Sequence, residues 1–230
     1  MKGAISAYLA ALVVFAGGAA QAADWPAFMG GPGRTGEAAD SSIRPPLKLL
    51  WRFRTDGSVR GSICVVDRVA YACSRDGCVY ALDAKTGRLL WRKQLGGLER
   101  ATPSVAHGKV FVVLNAYKDC KVYALDAKTG EEVWSRAVPA RNITRTGPLL
   151  VDDAVITFCW IEEEKKSGLV CLEAESGRER WRVTGRHEFV GDPSSDGETV
   201  FFAGSEGARD KASELLAVRV KTGEVLWRND

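Results

Sequence analysis

One eleven-residue unit occurs four times in this chain and governs every other reading of it. It stands as Ala81-Leu82-Asp83-Ala84-Lys85-Thr86-Gly87-Arg88-Leu89-Leu90-Trp91 and returns almost unchanged from Ala124 to Trp134. Weaker copies run from Cys171 to Trp181 and from Ala217 to Trp227. In each copy the tryptophan lies four residues after the glycine. A fixed period of this kind means a stacked repeat, because one such unit cannot bury its own faces.

The chemistry of the unit is that of a hairpin. An apolar run leads into Asp83, whose carboxylate can accept backbone N–H bonds from the turn. Gly87 can take the positive φ that closes the turn. Leu89-Leu90-Trp91 then opens the returning strand. A buried tryptophan hides roughly 150–250 Å², which is about 4–6 kcal/mol per copy as an upper bound.

Tryptophans 51, 91, 134, 181 and 227 are separated by 40, 43, 47 and 46 residues. Each interval holds four short apolar runs. The first module reads as strands at 61–66, 69–74, 78–83 and 88–94. Pro103, Pro148 and Pro193 fall at one equivalent position, where Ser62 stands in the first module. Proline suits the start of a strand. Four strands per ~40–45 residues is the spacing of a propeller blade.

The pattern Ala-x-Asp-x-x-Thr-Gly-x-x-x-Trp resembles the tryptophan-docking motif of pyrroloquinoline-quinone (PQQ)-like propeller repeats. The first two copies match it in full. The third substitutes Cys171, Glu173 and Ser176, and the fourth puts Arg219 where the acid should be. The resemblance covers residues 47–230. It implies an all-β fold, a β-propeller of four-stranded antiparallel blades at about 59–95, 101–138, 146–184 and 191–230. Trp51, Trp91, Trp134, Trp181 and Trp227 are then docking residues of the core.

Propellers of this family usually have eight blades. The strand around Trp51 resembles the outermost strand of a last blade whose three inner strands are missing. The expectation is therefore an open arc of four full blades plus one outer strand. A closed four-bladed ring with that strand left over is the alternative. Open blade edges favour self-association.

Ahead of the repeats, residues 1–22 read as a secretory signal peptide: Lys2, an apolar run from Ala4 to Ala16, and the small-x-small site Ala20-Gln21-Ala22. Cleavage there delivers the chain to the periplasm or the exterior. The first cysteine is Cys64, so no lipid-anchor cysteine follows the cleavage site. No later stretch is long and apolar enough to form a transmembrane segment. Residues 23–46 read as an irregular leader, rich in Gly and Pro, with Trp25 and Phe28 clamping it to a neighbouring surface. Its Trp-Pro-x-Phe stretch resembles the leader that precedes such repeats in exported bacterial proteins.

Lys2 is the only charged side chain before the cleavage point, so 32 basic and 29 acidic residues become 31 and 29. That balance gives no electrostatic reason to expect nucleic acid. In an exported chain, six cysteines permit disulfides. Cys73 and Cys78 flank an Asp-Gly turn and could bridge across it, or stay as two half-buried thiols.

Quinoprotein dehydrogenases of this fold hold their cofactor with adjacent cysteines, a calcium site of Glu and Asn, and a catalytic Asp. This chain has no Cys-Cys pair and no Cys-x-x-Cys-His. No catalytic, cofactor-binding or metal residue is therefore assigned, and no cofactor is expected. His107 and His187 lack the spacing of a zinc set.

One cluster is a candidate for binding. Arg60, Arg100 and Arg145 hold nearly equivalent places in three interblade loops. Converging guanidinium groups could grip a carboxylate or an acidic partner strand; ordinary solvated loop charge is the other reading. The resemblance implies an exported, non-catalytic module that binds an unidentified protein partner, related to outer-membrane protein assembly. The alternative is an N-terminal fragment of a PQQ-dependent dehydrogenase.

Overall fold

The computed structural model describes residues 8–9, 24–38, 45–98, 101–114, 120–139, 147–161, 166–185, 188–189, 192–205 and 213–229. Among them there is no α-helix; the chain is a series of antiparallel sheets. Blade one holds strands Cys64–Val66, Val69–Cys73, Cys78–Asp83 and Leu89–Gln94, paired in that order. Blade two repeats this with Ser104–Ala106, Lys109–Leu114, Lys121–Asp126 and Glu132–Ala137. Blade three uses Leu149–Val151, Ala154–Ile161, Lys166–Glu173 and Glu179–Thr184.

Blade four differs at its inner edge. Thr199–Ser205, Ser213–Arg219 and Val225–Asn229 pair in sequence, but two short strands, Glu188–Phe189 and Ser194–Ser195, share the first place. Before blade one, Phe53–Arg54 pairs antiparallel with Tyr8–Leu9. Those two residues are the part of the expected signal peptide that is described.

The strand register corrects one alignment made from the sequence. Cys64, Ser104, Leu149 and Ser194 pair with Tyr71, Phe111, Ile156 and Phe201, so they hold one equivalent place. The residue matching Pro103, Pro148 and Pro193 is therefore Ile63, not Ser62. Loop lengths blur such an offset in the sequence, whereas ladder pairing fixes it.

Each blade bends at the same point. The ladder slips just before the tryptophan, leaving Leu90, Val133, Arg180 and Leu226 as bulged residues. A bulge re-aims the side chains beside it, and here that side chain is the indole. The core is then divided among the blade interfaces. Trp51 packs on Ala70, Ala72, Leu82 and Ala84 of blade one. Trp91 joins the cluster between blades one and two, Trp134 that between two and three, and Trp181 that between three and four.

Candidate functional site

Two surfaces organise this molecule: the docking turns near the rim and the inner strand edges. At the rim, four of the five indoles dock on the turn of the following blade. Trp51 Nε1 donates to Ala84 O at 2.9 Å, Trp91 Nε1 to Ala127 O at 2.9 Å, Trp134 Nε1 to Ala174 O at 3.0 Å and Trp181 Nε1 to Val220 O at 2.7 Å. The glycine three residues on lies under the ring. A Cβ on Gly87, Gly130, Gly177 or Gly223 would come within 2.6 Å of the indole docked there, and φ at all four lies between 68° and 74°. Glycine is thus required twice at this place, by the backbone and by the ring.

Of the five tryptophans expected to dock, Trp227 has no docking turn against it among the described residues. It is 43% exposed, against 8% for Trp91 and Trp181. Each docked indole meets the turn of the following blade, and among the described residues no such turn stands against Trp227. Blade one cannot serve, because its turn already holds Trp51. The docking contact therefore does not close four blades into a ring. Val225 and Leu226 beside it are also exposed, as are Leu89, Leu90 and Val133 at the matching places of blades one and two.

The inner edge is built on a second repeated contact. Cys64 Sγ donates to Pro103 O at 2.8 Å, and the equivalent Ser104 Oγ donates to Pro148 O at 2.7 Å. Leu149, next in the series, has no donor to give to Pro193. Arg34 of the leader supplies it, with Nε 2.5 Å from Pro193 O. The leader also covers the inner strands through its backbone. Trp25 exchanges two bonds with Val65 at 2.6 and 2.9 Å, Pro26 O accepts from Val105 N at 2.8 Å, and Pro32 O accepts from Ser195 N at 2.9 Å. Val65, Val105 and Ser195 are equivalent, pairing with Ala70, Val110 and Val200.

Phe28 lies under the Arg34 guanidinium, 5.3 Å from ring centroid to carbon. Burial lowers the Arg34 pKa, with Asp192 opposing the shift, and its Nη1 is buried without a hydrogen-bond partner. The sequence pointed to Trp25 and Phe28 as clamps. Arg34 was not legible, because nothing in Gly33-Arg34-Thr35 shows that Leu149 of blade three leaves Pro193 O in need of a donor.

A third anchor was also missed. Asp76 Oδ2 accepts from Asp56 N, Gly57 N and the Tyr80 hydroxyl at 3.0, 3.2 and 2.8 Å. It fastens the Trp51 strand to the hairpin of blade one. Burial works against its ionisation, but the bonds from Tyr80, Cys78, Ser74 and Asp56 outweigh it and hold the pKa below the usual range.

The remaining sequence-derived sites fare unevenly. Arg60 is exposed, and Arg100 and Arg145 lie outside the described residues. The Cys73–Cys78 bridge is absent: both are free thiols. Cys73 pairs with Val79, so its side chain and that of Cys78 leave opposite faces of the hairpin; a sulfur pair across an Asp-Gly turn needs them on one face. Cys64, Cys73, Cys159 and Cys171 have pKa values raised by burial, to about 12 for Cys64, Cys159 and Cys171. Thiols in that state are poor nucleophiles. His107 is exposed in its hairpin turn, with Nε2 2.7 Å from Asp152 O; His187 lies outside the described residues. Among the described residues no group of three His, Cys, Asp or Glu could hold a metal ion, and no helix is long and apolar enough to cross a membrane.

The adjacent thiols that would seat a quinone ring have no counterpart in this chain. Its six cysteines are separate and buried, two of them committed to the blade one–two interface. The residues present do not fit that cofactor.

Comparison with known proteins agrees with this architecture. A quinohemoprotein alcohol dehydrogenase, ADH-IIG of Pseudomonas putida, is 33% identical over 225 residues, covering 80% of this chain and 31% of that protein. The chain spans less than a third of the length of the curated relatives it matches. Among solved structures, the quinohemoprotein alcohol dehydrogenase of Comamonas testosteroni superposes with a TM-score of 0.71 at 17% identity, covering 90% of this chain and 41% of that one. BamB of Moraxella catarrhalis gives 0.53 at 21% identity, covering 79% and 64%. These likenesses establish the propeller fold. The family model described as "Outer membrane protein assembly factor BamB" matches residues 47–163 and 163–230, and the chain belongs to that family of PQQ-like propeller repeats.

Proposed function

We propose that this chain is an exported, non-catalytic propeller module of the periplasm or exterior that binds or scaffolds other proteins. The observation that carries the reading is the match of residues 47–230 to the family model described as an outer membrane protein assembly factor. Val225, Leu226 and Trp227 form an exposed apolar row on the last described outer strand. Exposed strand edges beside exposed apolar side chains suit association by strand addition. The family match supports a role related to outer-membrane protein assembly. Trp227→Ala in the full chain should abolish association with its partner, or with a second copy, while leaving the monomer folded. Unchanged association of that variant, measured by light scattering and co-purification, would overturn the reading.

The second reading is a fragment of a PQQ-dependent dehydrogenase. It is favoured by the 33% identity to ADH-IIG over most of this chain. Dye-linked alcohol oxidation by the folded chain after adding the quinone and calcium would favour this second reading over the module.

A further inference from the structure

We infer that the inner strand edges of blades one, two and four form a docking surface for a turn-containing, proline-bearing peptide, and that residues 24–38 are its resident, displaceable occupant. This goes beyond the rim reading and uses different residues.

The surface is defined by three equivalent N–H groups, those of Val65, Val105 and Ser195, each met by a leader carbonyl. Two of those carbonyls belong to Pro26 and Pro32. Proline suits this task, since it accepts from the edge without leaving an unpaired donor of its own. Among the described residues only Trp25 pairs with an inner strand as a bridge; the leader then turns through the 3-10 helix Phe28–Gly30 and reaches the blade-four edge from a turn. The occupant that fits presents carbonyls in this order, with an aromatic residue at the blade-one end and a guanidinium at the blade-four end.

The two ends are not held equally. At blade one, Trp25 makes a two-bond bridge with Val65, and Asp24 Oδ1 accepts from Asp67 N at 3.1 Å. At blade four two hydrogen bonds hold the leader, Ser195 N to Pro32 O and Arg34 Nε to Pro193 O, against three at blade one. The blade-four end is therefore the end that releases, and Ser195 is the first N–H to open. A tethered occupant competes at an effective concentration on the order of millimolar, so a dilute free peptide enters only once the strap is loosened.

The test uses the full chain and a labelled synthetic peptide of residues 24–38. In Arg34→Ala, hydrogen exchange at Ser195 should rise at least about 10-fold, with Val65 less affected and the core amide of Leu82 unchanged. The peptide should bind this variant at least about 10-fold more tightly than the unaltered chain and restore the protection of Ser195. Arg34→Lys, which keeps the stem and charge, is the substitute if Arg34→Ala does not fold. Exchange of Ser195 only together with Leu82 would show a permanent part of the core and overturn the inference. Loss of protection at Ser195 that the peptide does not restore would overturn it too. Neither outcome touches the rim reading, which stands or falls on Trp227.

Discussion

The docking turns of blades one and two reach their shape by one chemistry, and those of blades three and four by another. Asp83 Oδ1 accepts from Lys85 N, Thr86 N and the Thr86 hydroxyl at 3.0, 2.7 and 2.8 Å. Asp126 Oδ1 likewise accepts from Lys128 N and Thr129 N at 2.9 and 2.8 Å. In blade three Glu173 reaches sideways instead, to the Ser176 hydroxyl and to Arg178 Nη2 at 2.7 and 2.6 Å. Blade four reverses that ion pair, with Arg219 Nε donating to Glu224 at 3.0 Å. Yet the main-chain bond that closes the turn, from Gly87, Gly130, Gly177 or Gly223 N to the residue four back, stays at 2.8–2.9 Å in all. The shared requirement is a backbone shape that receives an indole. The acid is one of several ways to staple it.

If that is right, the largest losses come from the indoles and depend on position rather than identity. Trp91→Ala and Trp181→Ala each empty a blade interface and should cost about 3–5 kcal/mol. Trp227→Ala changes an exposed side chain and should stay within about 0.5 kcal/mol. Urea unfolding of the three variants checks this. Equal losses would mean that Trp227 is docked in solution.

Next come the glycines. Gly130→Ala and Gly223→Ala should each destabilise by about 2–3 kcal/mol, combining left-handed strain with a Cβ driven into the docked ring. The sharp point is that the two should match, although one turn is stapled by Asp126 and the other by Arg219. A clearly smaller loss in blade four would make the staple, not the backbone, the common element.

How much of this was legible in the sequence follows from which contacts are local. Asp83, Thr86, Gly87 and Trp91 lie within nine residues, so the hairpin, its turn and the blade period could be read directly. The direction of docking could not. Trp91 looks as if it belongs to its own hairpin, but its acceptor is Ala127, 36 residues on. A repeat motif does not reveal that the partner of its tryptophan lies in the next copy. The failure at Cys73 and Cys78 was a matter of pleat, since a spacing of five leaves the facing residues undetermined until the register is known. Arg34 and Pro193, 159 residues apart, carry no local signal at all.

A smaller effect bears on the staples themselves. Asp126→Ala removes two charge-assisted backbone bonds in an exposed turn and should cost about 0.5–1 kcal/mol. Arg219→Asp rebuilds Asp-x-x-Thr-Gly in blade four at the expense of the Glu224 pair, and should fall within about 0.5 kcal/mol of neutral. Thermal or urea denaturation of the two variants is the measurement. A large loss for Arg219→Asp would show that the reversed ion pair is needed there and not interchangeable.

The smallest effect distinguishes the blades by pH. The Asp83 pKa is lowered by the Thr86 hydroxyl and then by backbone N–H bonds, and that of Asp126 by the N–H groups of Thr129 and Lys128. An acid depressed in the folded state stabilises the fold while it is ionised. That contribution is complete above the unfolded value near about 3.9 and is lost as pH falls through the lower folded value. Both groups are open to water, so the global effect is slight and the local one is the better readout. Between about pH 4 and 2 the amides of Thr86 and Thr129 should lose protection. The turn of blade four has Arg219 at this place and no such carboxylate beneath its backbone. Asp83→Asn should remove the acid response at Thr86 while leaving that at Thr129. If Thr86 in that variant still opened in step with Thr129, acid would be acting on the whole arc, and the contrast between the stapled and the ion-paired turns would lose its physical basis.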